Sequence, residues 1–183
     1  MKEEIIIAGF GGQGVLLAGM VLAQAALESD LHTTWFPSYG AEMRGGTANS
    51  TVIISDEEIG SPVVASASAL IALNKQSLDK FSANLKKNAI MIYDSSFSGP
   101  MGPGEKGLTK IPASEMADSR LGNLKAANMI ALGLYIKKSN VVTLAKAKTA
   151  CEKAFEGNKK LIELNLKALE LGYNFEDSTR RKD

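Results

Sequence analysis

The chain has 183 residues, 45% apolar and 22% charged, with a formal charge of +1. That length builds one domain with a real core, and the near-neutral charge excludes a strong field aimed at nucleic acid or an anionic membrane. The single cysteine, Cys151, excludes an internal disulfide framework and a self-contained Cys-ligated iron–sulfur cluster or zinc ribbon.

In chain order, Glu4 to Phe10 (EIIIAGF) is a continuous apolar run, which predicts a strand covered on both faces. A helix over Val15–Leu27 opens inside a glycine loop. Thr33–Phe36 reads as a strand that Pro37 stops, and a polar, glycine-rich loop follows. Ser50–Ser55 is a strand, SDEEIGSP a turn, and Ala69–Asn74 a buried strand. QSLDKFSANLKK places Leu78, Phe81 and Leu85 on one helical stripe. Ala89–Asp94 is a further strand, and SSFSGPMGPGEKG is a loop by composition. Asn123 is an N-cap candidate for a helix from about Leu124. Two more helices lie near Val142–Phe155 and Lys159–Leu171, with Gly172 placed to end the last one. Residues 1–175 form the domain and 176–183 a charged tail. Strands alternating with helices predict an α/β fold: a single Rossmann-like domain with a mostly parallel sheet and helices on both faces. No signal-peptide pattern or membrane-length apolar run is present, so the chain reads as cytoplasmic, with no membrane or nucleic-acid partner.

The loop after the first strand holds Gly9, Gly11, Gly12, Gln13 and Gly14. Such a loop lets backbone approach an anion and points free N–H groups at it from a helix N-terminus; it equally makes a tight strand-to-helix turn that needs glycine only for packing. GFGGQG fits the dinucleotide formula, but no Asp or Glu ends the second strand to hold a ribose. That argues against a stand-alone NAD- or FAD-binding protein. No Gly-Lys-Ser/Thr follows, so this is not a P-loop.

The second unusual stretch, SYGAEMRGGTAN, concentrates Tyr39, Glu42, Arg44, Gly45, Gly46 and Asn49 near the C-terminal edge of the first strands, where open α/β sheets bind ligands. Arg44 can clamp a carboxylate or phosphate in bidentate fashion; the plainer alternative is a solvated Glu42–Arg44 ion pair that adds little.

Together, GFGGQGVLLAG, SYGAEMRGG, SPVV…LIALN and LGNLKAANMIALG resemble the gamma subunit of 2-oxoacid:ferredoxin oxidoreductases, the pyruvate, ketoisovalerate and 2-oxoglutarate synthases. The resemblance covers about Ile5 to Gly172. It implies a subunit, inactive alone, of an enzyme that decarboxylates a 2-oxoacid oxidatively, reduces ferredoxin and transfers the acyl group to coenzyme A. It further implies that thiamine diphosphate with Mg and the [4Fe–4S] clusters sit on partner alpha, beta and ferredoxin-like delta subunits, while this chain helps position coenzyme A. The glycine loop then suits the diphosphate, Arg44 or a partner lysine neutralises charge, and Tyr39 and Asn49 shape the site. The small subunit of indolepyruvate:ferredoxin oxidoreductase is the related alternative. The resemblance leans to 2-oxoglutarate as substrate. Ser66 and Ser68 depart from the family, which often has an acid before LIAL.

Neither catalytic nor metal-binding residues are assigned to the chain itself. His32 is expected at the surface and Cys151 as a small buried hydrophobe. Asn128 is expected to bond either a loop or a partner subunit. The two apolar stripes of the last helix fit burial between layers or a subunit contact, and homodimers of the isolated chain are an open expectation.

Overall fold

The computed structural model describes residues 1–39, 47–97 and 107–176. Strand β1 (Lys2–Phe10) lies inside a six-stranded sheet of order β2-β3-β1-β4-β5-β6, with β2 at His32–Tyr39, β3 at Thr47–Ser55, β4 at Ala67–Ala72, β5 at Leu85–Asp94 and β6 at Leu108–Ile111. β1, β4, β5 and β6 run parallel. β3 is antiparallel to β1, and β2 antiparallel to β3. The sheet is therefore parallel on one side and finished by an antiparallel hairpin on the other. Ile5, Ile7 and Ala8 are fully buried, as a β-rich apolar run covered on both faces requires.

Helix α1 (Val15–Leu27) lies on the hairpin and β1, and α4 (Ala127–Ser139) lies on β4 and β5 of the same face. Helices α5 (Leu144–Ala154) and α6 (Lys159–Tyr173) cover α1 and α4 as a second helical layer. The small residues Ala18, Ala25 and Ala26 of α1 are fully buried in the resulting large core. Helix α2 (Lys75–Ser82) covers the opposite face, where Leu78 packs against Ile6, Leu70 and Tyr93. Helix α3 (Ala113–Leu121) fills the corner between α4 and α6.

Four expectations need correction. β2 does not stop at Pro37: it runs on to Tyr39, with Pro37 opposite Ser50. β2 is an edge strand, and an edge tolerates a residue with no N–H to offer a further neighbour. Leu85 is not on the α2 stripe; α2 ends at Ser82 and Leu85 opens β5, opposite Ala67. Gly172 does not end the last helix but lies within α6, because α4 crosses there so closely that a Cβ would stand 1.7 Å from the Ile130 carbonyl oxygen. β6 and α3 fall in a stretch, residues 108–121, where the sequence predicted no element.

Candidate anion site at the glycine turn

β1 ends in a tight turn. The Gln13 amide donates to the Phe10 carbonyl at 3.1 Å, and Gly12, third in the turn, has φ +98°. That is the backbone sign a type II turn demands at this place. Gly14 then takes a left-handed conformation, φ 73° and ψ 23°, as N-cap of α1, with no side chain capping the helix. Its carbonyl accepts from Ala18 N at 3.1 Å, the first bond of α1.

The loop is held by two carboxamides. Gln13 Oε1 accepts from Phe10 N at 2.6 Å and from Asn74 Nδ2 at 3.0 Å, while Gln13 Nε2 donates to the Leu73 carbonyl at 3.1 Å. Gln13 thus joins the C-terminal ends of β1 and β4. These adjacent strands send their following helices, α1 and α2, to opposite faces, and ligands of open α/β sheets enter at such a divergence. Gly9 has no Cβ because one would stand 2.7 Å from Gln13 Oε1. From the other side, Asn128, buried at the start of α4, donates from Nδ2 to the Gly14 carbonyl at 2.8 Å and accepts from Met129 N.

Beside this turn lies a cleft of about 210 Å³ lined by Gly12, Gln13, Leu73, Ser114, Leu124, Lys125 and Ala127. Its walls come from the starts of three helices. Gly12 and Gln13 precede α1, Ser114 is the second residue of α3, and Ala127 is the first of α4. A helix start carries N–H groups without intrahelical partners and a partial positive charge, but at α4 the preceding 3-10 turn uses them: Ala127 N donates to the Leu124 carbonyl and Met129 N to Asn128 Oδ1. At α3 that charge is already matched: buried Asp94, at the end of β5, accepts from Ser114 N at 3.2 Å and Ser114 Oγ at 2.5 Å, and from Ser96 Oγ at 2.7 Å. Lys125 is exposed on a short 3-10 turn, Leu124–Ala126, capped by the Asn123 side chain, which accepts from Lys125 N at 3.0 Å. No described carboxylate pairs with the Lys125 ammonium. The cleft can therefore take an anion, with the uncapped α1 end and Lys125 as its positive side.

The structure brings only part of the sequence-derived site together. Gly12 and Gln13 line the cleft, with Gly11 and Gly14 in the same turn. The Gln13 amide is occupied by Phe10, so of the expected backbone donors it is not one. Gly9 makes room for the Gln13 carboxamide. Tyr39 pairs with Ala48, and Asn49 sits between Ser38 and Ala8 in the ladder. This puts the base of the hairpin at the C-terminal edge of β1, as expected, but Asn49 is not among the cleft's lining residues. Glu42, Arg44, Gly45 and Gly46 lie outside the described residues. Lys125 and Ser114 were not singled out from sequence; the signal for Lys125 was its place two residues after the Asn123 cap. Asn123 caps, but what it opens is the 3-10 turn Leu124–Ala126, and the α-helix starts only at Ala127; Asn128 bonds the loop.

Away from the cleft, His32 is exposed, at the start of β2. Cys151 is fully buried, and burial, with some help from Glu152, pushes its thiol up to about 12. Ser68 bonds β1, accepting from Glu4 N at 2.8 Å and donating to Glu3 Oε2 at 2.5 Å. The two stripes of α6 are not both buried. Asn165, Ala168, Leu169 and Gly172 form its one buried face, against α4, while Leu161 is 36% exposed. Among the described residues no group of three or more His, Cys, Asp or Glu could hold a metal ion, and no helix is long and apolar enough to cross a membrane.

Residues 4–175 match the family described as pyruvate ferredoxin/flavodoxin oxidoreductase. Ketoisovalerate oxidoreductase subunit VorA of Methanothermobacter thermautotrophicus is 42% identical over 175 residues, 93% of this chain. The chain spans only 36% of that relative's length. 2-Oxoglutarate synthase subunit KorC of Methanocaldococcus jannaschii is 35% identical over 178 residues, covering 94% of this chain and 93% of its own. The crystal structure of a keto/oxoacid ferredoxin oxidoreductase gamma subunit from Geobacter sulfurreducens superposes with a TM-score of 0.82 at 32% identity, over 94% of this chain and 95% of that one. With the family matched along nearly its whole length and the fold shared with a solved gamma subunit, the chain belongs to the pyruvate ferredoxin/flavodoxin oxidoreductase family, as a domain of the gamma-subunit type.

Proposed function

We propose that the chain works as the gamma subunit of a multi-subunit 2-oxoacid:ferredoxin oxidoreductase, and that the cleft between Gly12 and Lys125 receives phosphate groups of coenzyme A. The observation that supports this is the convergence, on one cleft at the strand divergence, of the uncapped α1 N-terminus and the Lys125 ammonium, which no described carboxylate pairs. A diphosphate suits such a place: backbone N–H groups hold it and a lysine neutralises it. In this reading thiamine diphosphate, Mg and the [4Fe–4S] clusters belong on alpha, beta and delta subunits, and electrons leave for ferredoxin through them. This chain's share of acyl transfer is binding and orientation. The Gly12 turn and Lys125 hold the nucleotide end so that the thiol arm extends toward the partner subunits.

The relatives named above divide between ketoisovalerate and 2-oxoglutarate, and the near-full-length match to the KorC subunit favours 2-oxoglutarate. The test is Lys125→Ala and Lys125→Glu in the assembled enzyme, with the KM for coenzyme A as readout. One solvent-screened charged contact is worth about 1 kcal/mol, so Lys125→Ala is expected to raise that KM roughly 5-fold and Lys125→Glu further. An unchanged KM in both variants would sink the assignment of this cleft.

A further inference from the structure

Gln13 lines the cleft, and its carboxamide is itself held by a residue that does not line it. Asn74 stands between β4 and α2. Its Oδ1 accepts from Ser77 N at 2.8 Å, capping α2, and its Nδ2 donates to Gln13 Oε1 at 3.0 Å. Resting on the reading of the cleft as a coenzyme A phosphate site, we infer that Asn74 is a positioning residue for that site. Through Gln13 it holds the Phe10–Gln13 turn, and with it the Gly12 backbone, in the geometry that receives the ligand.

Capping alone does not account for Asn at this place. Ser, Thr and Asp cap a helix about as well, but none of them offers an acceptor to Ser77 and an N–H to Gln13 together. Gln13 needs that second donor because its seat is a single one. Oε1 faces Phe10 N at 2.6 Å, Nε2 faces the Leu73 carbonyl at 3.1 Å, and the side of Gly9 is filled so tightly that a Cβ would meet Oε1 at 2.7 Å. With Asn74 Nδ2 in place, both ends of the carboxamide are satisfied in one orientation only. Without it, Oε1 keeps a single partner and the turn is held by one fewer strut. The consequence reaches across the sheet, from the N-terminus of α2 on one face to the start of α1 on the other.

Two substitutions separate the cap from the strut. Asn74→Ser keeps a capping oxygen and cannot reach Gln13. Asn74→Asp keeps the cap and turns a carboxylate oxygen onto Gln13 Oε1. In the assembled enzyme, Asn74→Ser is expected to raise the KM for coenzyme A about 3- to 10-fold with the change in KM rather than kcat, and Asn74→Asp more. In the full chain, amide exchange at Phe10 and Gln13, whose N–H groups close the turn, is expected to quicken in both variants while the thermal midpoint of Asn74→Ser stays at the wild-type value. A wild-type KM and wild-type exchange at the turn in both variants overturn the inference, leaving Asn74 as a cap. If Lys125→Ala changes the KM and the Asn74 variants do not, this inference alone falls. If Lys125→Ala and Lys125→Glu are both silent, the reading of the cleft falls and takes this inference with it.

Discussion

Asn128 and Gly14, 114 residues apart, are locked face to face: Asn128 Nδ2 donates to the Gly14 carbonyl at 2.8 Å, and a Cβ on Gly14 would stand 2.4 Å from that nitrogen. The contact carries two predictions about one loop. Asn128→Ala leaves the Gly14 carbonyl with Ala18 N as its described partner and opens a void in a site only 1% exposed. The expected loss is about 1–3 kcal/mol in urea unfolding of the isolated chain. A residue that served only a partner-subunit contact would leave the isolated chain unchanged. Gly14→Ala is expected to cost more, since it adds a collision to a left-handed backbone that disfavours any Cβ by about 1–2 kcal/mol.

The crossing of α4 and α6 is set by backbone touching backbone. At Gly172 an added methyl would meet the Ile130 carbonyl oxygen at 1.7 Å, and at Gly133 the Leu169 carbonyl oxygen at 2.1 Å. Backbone cannot swing aside as a long side chain can, so the helices must separate. Gly172→Ala is expected to destabilise the chain by about 3 kcal/mol or more, at the upper end of overpacking costs. Differential scanning calorimetry reads this directly. A neutral Gly172→Ala would mean that α6 can shift on α4 at no cost, contrary to the tight seam seen here.

Much of this architecture was legible in the residues, and the gaps have physical causes. Helix α1 was read at its true bounds, Val15–Leu27, because a glycine turn opens it and an unbroken Ala/Leu/Met run continues it. β6 was missed because LTKI is four residues long with two of them buried. α3 was missed because its inward face is Ala113, Ser114, Met116 and Ala117, too small and too polar to register as an apolar stripe. Pro37 misled because an edge strand forgives what an inner strand does not. Gly172 misled because glycine before a helix end and glycine beneath a crossing helix look alike in sequence. The glycine turn was legible as a candidate site, but its partners were not. The cleft joins residues 12, 114 and 125, and only the folded sheet makes those three neighbours.

Acid should weaken the N-terminal edge of the sheet. Burial pushes the Glu4 carboxyl up, but hydrogen bonds and charge from Lys86, at 2.7 Å, and then Lys2, at 3.3 Å, outweigh it and hold the group below its ordinary 4.5. The unfolded chain therefore takes up the proton at higher pH than the folded one. The stabilisation is fully present above 4.5 and is lost as pH falls through the lower folded-state value. Glu4→Gln is expected to lower the thermal midpoint at pH 7 and to flatten its decline toward about pH 3, so that the two curves converge in acid. Parallel curves would show that Glu4 contributes no proton linkage.

Cys151 gives the last test, one that reads the core itself. On α5, which covers α1, its thiol is fully buried in the large core, and burial first, then Glu152, raises it to about 12. A thiol reagent needs both access and thiolate, and the folded chain offers neither at pH 8. Labelling is therefore expected to proceed only through opening of the α5 layer. Its rate should rise with urea in step with unfolding, and should increase in Gly172→Ala, where the neighbouring seam is loosened. Rapid labelling of the folded wild-type chain in the absence of denaturant would contradict both the burial of Cys151 and the packing of α5 on α1 that produces it.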